Sequence, residues 1–292
     1  MMFQKKKYIG ITLGLVMAGF LLGFLCGRYT TPKGERETSE TVEIAKDTTA
    51  QPSETVTKAE SVTAAVTTVE ETTKKEVVTQ APVRNLKGKK LVALTFDDGP
   101  GRYTMELLNI LQSNQVRATF FVCGTGLERN DAEKILKRMD SIHCDIGNHT
   151  LHHVSLGNAK VKKIKKEING VDRIVKKYTG HKTKFLRPPY GAGAKKKKLK
   201  KNVKVPMICW NVDTLDWKTK NKKKTIKRAT KNIHDGDIIL MHDIHPWSVE
   251  AVKKIIPKLR KQGFEFVTIS EMAKYKKVSL KKGIAYYDFR GM

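Results

Sequence analysis

An apolar run over residues 91–96 ends in Thr95-Phe96-Asp97-Asp98-Gly99-Pro100. Two adjacent carboxylates at the end of a buried strand are costly unless a cation balances them. A metal would do so, engaging one carboxylate and leaving the other to act as a base. His149 and His153, within Asn148-His149-Thr150-Leu151-His152-His153, are four residues apart. That spacing predicts both imidazoles on one side of a single helical turn, with His152 pointing elsewhere. The Asp pair and the two histidines offer two nitrogens and one oxygen with positions left for water, the donor set of an open catalytic zinc site. Arg187 stands before Pro188 and Pro189, which stiffen its loop. An arginine near a carboxylate base keeps that base ionised and oriented. Asp213 and Asp216 lie between Trp210 and Trp217, and His242 closes the apolar run Ile239-Leu240-Met241. A histidine backed by a carboxylate suits general-acid work near neutral pH. Alone, each segment reads as an exposed turn, a surface histidine pair or a rigid loop; their recurrence at successive strand ends does not.

The elements that must carry these groups follow from hydrophobic periodicity. Strands are expected near residues 91–96, 118–122, 142–147, 184–186, 205–210, 237–241 and 264–269. Helical patterns fall at 103–113, 131–139, 161–178, 194–201, 222–233 and 249–261. The helix over 161–178 is the clearest, with Val161, Ile164, Ile168, Val171, Val175 and Tyr178 at three- and four-residue steps. Strand–helix alternation predicts parallel strands with helical crossovers. About seven repeats in some 190 residues fit an α/β fold of the small or incomplete barrel kind, in which function gathers at the C-terminal ends of strands.

The motifs Thr95–Pro100, His149–His153, Arg187–Gly191, Asp213–Trp217 and Leu240–Asp243 occur in the order and spacing of the NodB-type polysaccharide deacetylases, carbohydrate esterase family 4, which the chain resembles from about Leu91 to Ile269. The resemblance implies a distorted (β/α)7 barrel and a divalent metal, zinc foremost, with cobalt or nickel serving some members. Carried over by position, it makes Asp97 the base, Asp98, His149 and His153 the metal ligands, and Arg187 the group that orients Asp97. It makes His242 the acid, supported by Asp213. It assigns the Tyr190 backbone N–H, beside Pro188, to the oxyanion, and Trp217 and Leu240 to the acetyl-methyl pocket. The implied reaction is hydrolysis of N-acetyl groups on an amino-sugar polymer, releasing acetate. The intact Asp97-Asp98 pair differs from the Asp-Asn of the subgroup acting on muramic acid, and so points to N-acetylglucosamine in peptidoglycan. Chitooligosaccharide or acetylxylan, or a non-catalytic glycan-binding role, are the alternatives. His143-Cys144-Asp145 stand where the family commonly has Gly-His-Glu.

Composition divides the chain into three. Residues 1–29 carry Lys5, Lys6 and Lys7 ahead of twenty uncharged, largely apolar residues, 8–27, long enough to cross a bilayer. The lysine excess predicts a single-pass anchor in the cell membrane with the remainder outside; a cleaved signal and secretion is the alternative. Residues 30–84 are rich in Thr and Glu and poor in large apolar side chains, which predicts a disordered stalk. Residues 85–292 have the alternation a packed catalytic domain needs. They hold 46 Lys and Arg against 19 Asp and Glu, a charge that attracts polyanions, with anionic wall polymers as possible partners. The absence of any nucleic-acid-binding motif and the expected external location argue against nucleic acid. Cys123, Cys144 and Cys209 fall in apolar stretches without a Cys-x-x-Cys pair, so buried free thiols are expected, with a single disulfide as the alternative.

Overall fold

The computed structural model describes residues 84–292. In chain order the elements are β1 (Lys90–Asp97), α1 (Thr104–Ser113), β2 (Thr119–Val122), α2 (Gly124–Leu127), α3 (Ala132–Ser141), β3 (Asp145–Asn148) and α4 (Val161–Thr179). A 3-10 turn at Pro189–Gly191 leads to α5 (Lys197–Asn202), β4 (Met207–Ile208), β5 (Val212–Asp213), α6 (Asp216–Thr219) and α7 (Lys222–Thr230). The chain finishes with β6 (Asp237–His242), α8 (Pro246–Lys261), β7 (Phe264–Phe266), α9 (Ile269–Tyr275) and β8 (Ala285–Tyr286). Helix α4 forms because its apolar residues keep the 3.6 period: Ile164, Ile168, Val171 and Val175 are buried, and lysines take the other side. Gly180 ends it at φ +80, a left-handed residue whose N–H reaches Lys176 O.

All ladders are parallel. β1 is the hub: β6 runs along it from Val92 to Asp97, while β7 and then β2 share its other edge. The main sheet has the order β3-β2-β1-β6-β5, with β7 on β1. β4 and β8 form a separate pair, tied to β3 only by isolated bridges through Leu186. The expected barrel is therefore not closed. Met207–Asp213 would be the closing strand, but it breaks into two dipeptide strands where the carbonyls of Ile208 and Cys209 turn to the Arg187 guanidinium.

Strand alternation sorts the side chains. Val92, Leu94 and Phe96 of β1, with Ile239 and Met241 of β6, join the core under helices α1, α3 and α8. Leu91 and Ala93 of β1, Phe121 of β2 and Ile238 of β6 face the opposite side, against Phe185, Ile208 and Phe289. By the same alternation Thr95 and Asp97 on β1, and Leu240 and His242 on β6, point to that second face. Asp97 and His242 are register partners. The sheet thus presents a base candidate and an acid candidate side by side at the C-terminal ends of two paired strands.

Two sequence expectations are corrected here. Among the described residues no helix is long and apolar enough to cross a membrane, which overturns the single-pass membrane placement; segment 8–27 and the stalk lie outside the described residues. The histidine motif is not a helical turn either, since Thr150 and His153 both adopt left-handed φ, +70 and +50. Cys123, Cys144 and Cys209 are buried and free.

Candidate active site

Asp97 is buried at the end of β1, and its Oδ1 accepts a 2.7 Å hydrogen bond from Arg187 Nη1. Arg187 is itself fully buried. It also donates to Thr95 Oγ1 and to the carbonyls of Ile208 and Cys209, and its guanidinium lies 4.0 Å over the Phe121 ring. Gly147 makes room beneath, because a Cβ there would come 2.5 Å from Phe121. Burial raises the Asp97 pKa, and the Arg187 charge works against that rise. With Oδ1 occupied, Oδ2 is turned towards His149 Nε2, 3.7 Å away.

Asp98 takes φ +74, which swings its carboxylate away from β1 and towards the histidine loop. His149 Nε2 lies 3.5 Å and His153 Nε2 3.2 Å from Asp98 Oδ1, and the ligand atoms of the three residues all fall within 4.8 Å of one another. A hydrogen-bond partner behind each imidazole fixes its ring. His149 Nδ1 is 2.8 Å from Arg187 O, so it must carry the proton and leave Nε2 with its lone pair. Burial pushes His149 down to about 3, keeping it neutral. His153 Nδ1 is 3.2 Å from the Tyr190 hydroxyl, and the two rings meet edge-on at 4.8 Å. Asp98 Oδ1 is buried with no hydrogen-bond partner among the described residues. An orphaned carboxylate oxygen facing two aimed imidazole nitrogens fits a divalent cation such as zinc. His152 points away and pairs with Glu167 at 3.0 Å.

His242 stands across the site, its Nε2 4.0 Å from Asp98 Oδ2. Its Nδ1 is held at 2.9 Å by Asp216 Oδ1. Asp216 is fully buried, and its Oδ2 also accepts from His242 N and Ser248 Oγ. Burial alone would lower the His242 pKa; the hydrogen bond and charge of Asp216, then Asp97 and Asp98, outweigh it and raise the group to about 9. The expected supporter, Asp213, does not reach His242: its Oδ1 accepts from Leu215 N at 2.8 Å and closes a turn. Leu215, at φ +51, redirects the chain so that Asp216 faces the histidine. Both acids were visible in the sequence, but only this turn decides between them.

The remaining expected residues are dispersed around this centre. Tyr190, at φ +60, is 70% exposed and forms the rim beside His153. Pro188 is buried in the same turn. Leu240 is buried on β6 opposite Thr95, and Trp217 is half-exposed next to Asp216. Trp247, not singled out in the sequence, donates its indole N–H to Asp216 O, and its ring stacks on His245. A cleft of about 380 Å³, lined by Asp98, His153, Gly101, Cys123, Thr125 and Arg129 among others, opens beside the Asp98–His149–His153 trio.

Residues 84–207 match the profile of the family described as "Polysaccharide deacetylase". The chain is 37% identical over 190 residues to the peptidoglycan-N-acetylmuramic acid deacetylase PdaC of Bacillus subtilis, covering 65% of this chain and 40% of that protein. It is 36% identical over 207 residues to the peptidoglycan-N-acetylglucosamine deacetylase PgdA of Listeria monocytogenes, covering 70% and 43%. The chain thus spans about two fifths of the length of these relatives. A solved family 4 acetyl xylan esterase from Clostridium thermocellum, in complex with a cobalt ion, superposes with a TM-score of 0.64 at 32% identity over 68% of this chain and 98% of that one.

Proposed function

The chain belongs to the polysaccharide deacetylase family, and on that premise we propose that it hydrolyses N-acetyl groups of an amino-sugar polymer, with N-acetylglucosamine of peptidoglycan as substrate and acetate as product. The observation that carries this reading is the convergence of Asp98 Oδ1 with the Nε2 atoms of His149 and His153, flanked by Asp97 on one side and His242 on the other. Asp98, His149 and His153 would hold the divalent cation, which supplies Lewis-acid polarisation of the acyl oxygen and of water.

The protein's own groups divide the proton transfers. Asp97, oriented through Oδ1 by Arg187, takes a proton from the attacking water on Oδ2. His242, kept charged by Asp216, gives a proton to the departing amine nitrogen through Nε2, the only ring nitrogen not engaged by Asp216. Leu240, two residues before His242 on the same strand face, and Trp217, next to Asp216, would receive the acetyl methyl. The backbone N–H of Tyr190, whose ring lies beside His153, would help hold the oxyanion. Between the two relatives, one named for muramic acid and one for glucosamine, the intact Asp97-Asp98 pair favours glucosamine.

The test is acetate release from peptidoglycan, N-acetylglucosamine oligomers and acetylxylan, each with and without chelator. Chelator-sensitive release from peptidoglycan, with free amines appearing on glucosamine, is expected. Amines on muramic acid, or release from acetylxylan alone, would overturn the substrate assignment, and no release from any substrate would overturn the reading itself.

A further inference from the structure

The charge of the described domain is concentrated in one stretch. Residues 160–204 hold eighteen Lys and Arg against two acids, Glu167 and Asp172. Helix α4 orders part of this charge. Lys162, Lys166, Arg173 and Lys176 recur at steps of four, seven and three, so they share one stripe of the helix, and all four are exposed. At 1.5 Å per residue the stripe is roughly 20 Å long. None of the four has an ion-pair partner among the described residues; the α4 acids are engaged elsewhere, Glu167 with Lys163 and His152 and Asp172 with Asn148 and Thr183. At its far end the stripe runs into a cleft of about 530 Å³ lined by Asn169, Asp172, Arg173, Lys176, Lys177 and Lys182. At its near end α4 follows the loop that carries His149 and His153, to which Glu167 is tied through the His152 backbone N–H at 2.8 Å.

Four cations in a line, without an ion-pair partner among the described residues and ending at a basic cleft, are more than solvation of a helix requires. We propose that this stripe of α4 and the cleft at its end form a docking track for a linear polyanion of the phosphodiester type, lying along the glycan that enters the active site. Three of the four cations are lysines, compact point charges on flexible stems, which suits a repeating anion without fixed geometry better than one bidentate carboxylate. A lipid surface fits less well, because Val161 is the only exposed large apolar residue on α4 and no aromatic side chain on the stripe could enter a bilayer interface. Single-stranded nucleic acid would be expected to find aromatic stacking platforms, and the stripe has none. Only the identity of the polymer rests on the proposed wall-glycan function; the binding is measurable without turnover.

The test compares the full chain with the variant Lys162→Gln/Lys166→Gln/Arg173→Gln/Lys176→Gln, whose glutamines keep helix propensity and break no ion pair. Linear inorganic polyphosphate is the binding probe. Wild type should bind it with salt-dependent affinity, and the variant should lower the slope of log affinity against log salt by roughly one for each contacting cation removed. On wall fragments carrying a phosphodiester polymer, kcat/KM should fall about tenfold or more in the variant at low salt. On the same fragments stripped of that polymer, and on neutral N-acetylglucosamine oligomers, the two proteins should agree. Equal polyphosphate binding by both, equal losses on stripped and unstripped fragments, or binding of anionic lipid vesicles in place of polyphosphate would each overturn the proposal. If neither protein deacetylates any glycan, the functional reading fails, while the polyphosphate result still decides the track.

Discussion

Replacing Asp216 with Asn tests the acid side of the site most sharply. Asparagine can still accept the Nδ1 hydrogen bond, which is 2.9 Å long in the native pair; its NH2 then replaces the Oδ2 that accepts from His242 N and Ser248 Oγ, so the ring keeps its partner while the charge and the acceptor for the His242 backbone N–H are lost. In the native site His242 is raised from its ordinary 6.5 to about 9 even though burial pulls the other way. That difference is roughly 3 kcal/mol in favour of the imidazolium at 1.36 kcal/mol per unit. Asp216 is the largest of the groups that raise it; Asp97 and Asp98 come after. Without that charge, burial is opposed only by Asp97 and Asp98, and the group moves back towards its ordinary 6.5. A full return would drop the protonated fraction at pH 8 from about nine tenths to about one thirtieth, whereas at pH 6 it would stay above about two thirds. Acetate release measured from pH 5.5 to 10 should therefore show an alkaline limb moved down by up to about two units, with a loss of up to about thirtyfold at pH 8 and little at pH 6. A cation held at Asp98 shifts both limbs down together, so the separation between variant and wild type is the quantity to read. Asp213→Asn, which keeps the acceptor for Leu215 N and removes only a charge that makes no contact with His242, should leave the limb in place. An unmoved limb in Asp216→Asn, or a moved one in Asp213→Asn, would refute the reasoning.

Asp97→Asn should retain zinc while losing turnover, and His149→Ala should lose zinc affinity; metal content by mass spectrometry beside acetate release checks both, and the reverse pattern would exchange the assigned roles. Arg187→Met removes a buried cation from Asp97 and two carbonyls, so it should destabilise the fold by about 3–5 kcal/mol in urea unfolding as well as abolish activity. Gly99→Ala places a Cβ 2.2 Å from Asp243 Oδ2, a buried carboxylate, and should cost about 1–3 kcal/mol and displace the neighbouring Asp98 enough to weaken metal binding.

The strongly periodic elements were legible from the sequence: β1, α4 and β6 fall within a residue or two of expectation because a single burial pattern fixes each one. Short elements were not. α2 (Gly124–Leu127) has two glycines in four residues and no apolar period, and α9 follows β7 so closely that Val267 and Ile269 read as more strand. Barrel closure escaped because it depends on where the carbonyls of Ile208 and Cys209 point, and those are claimed by an arginine twenty residues away. The site shows the same division. Adjacent Asp97 and Asp98 announce a cation, but that Asp98 reaches the histidines rests on its φ of +74. The spacing of His149 and His153 was informative although its stated reason was wrong: two left-handed residues, not a helical turn, bring the rings to 5.0 Å.

In the proposed reaction a proton leaves water on one side of this site and reaches nitrogen on the other at a common pH, so the proposed base and acid have to hold opposite states. β1 and β6 place Asp97 and His242 opposite each other in register, so their environments, more than their positions, must set them apart. Arg187 does this for the base: it stands against the burial that raises Asp97 and thereby favours the carboxylate. Asp216 does it for the acid, outweighing the burial that would otherwise discharge His242. Each partner enters from a different loop and touches only its own member of the pair. Asp98 lies between them, 4.0 Å from His242, and favours the charged imidazole until a cation takes up its carboxylate. Metal binding and acid strength are therefore coupled through one residue: filling the site should make His242 a better proton donor at the moment the site becomes competent.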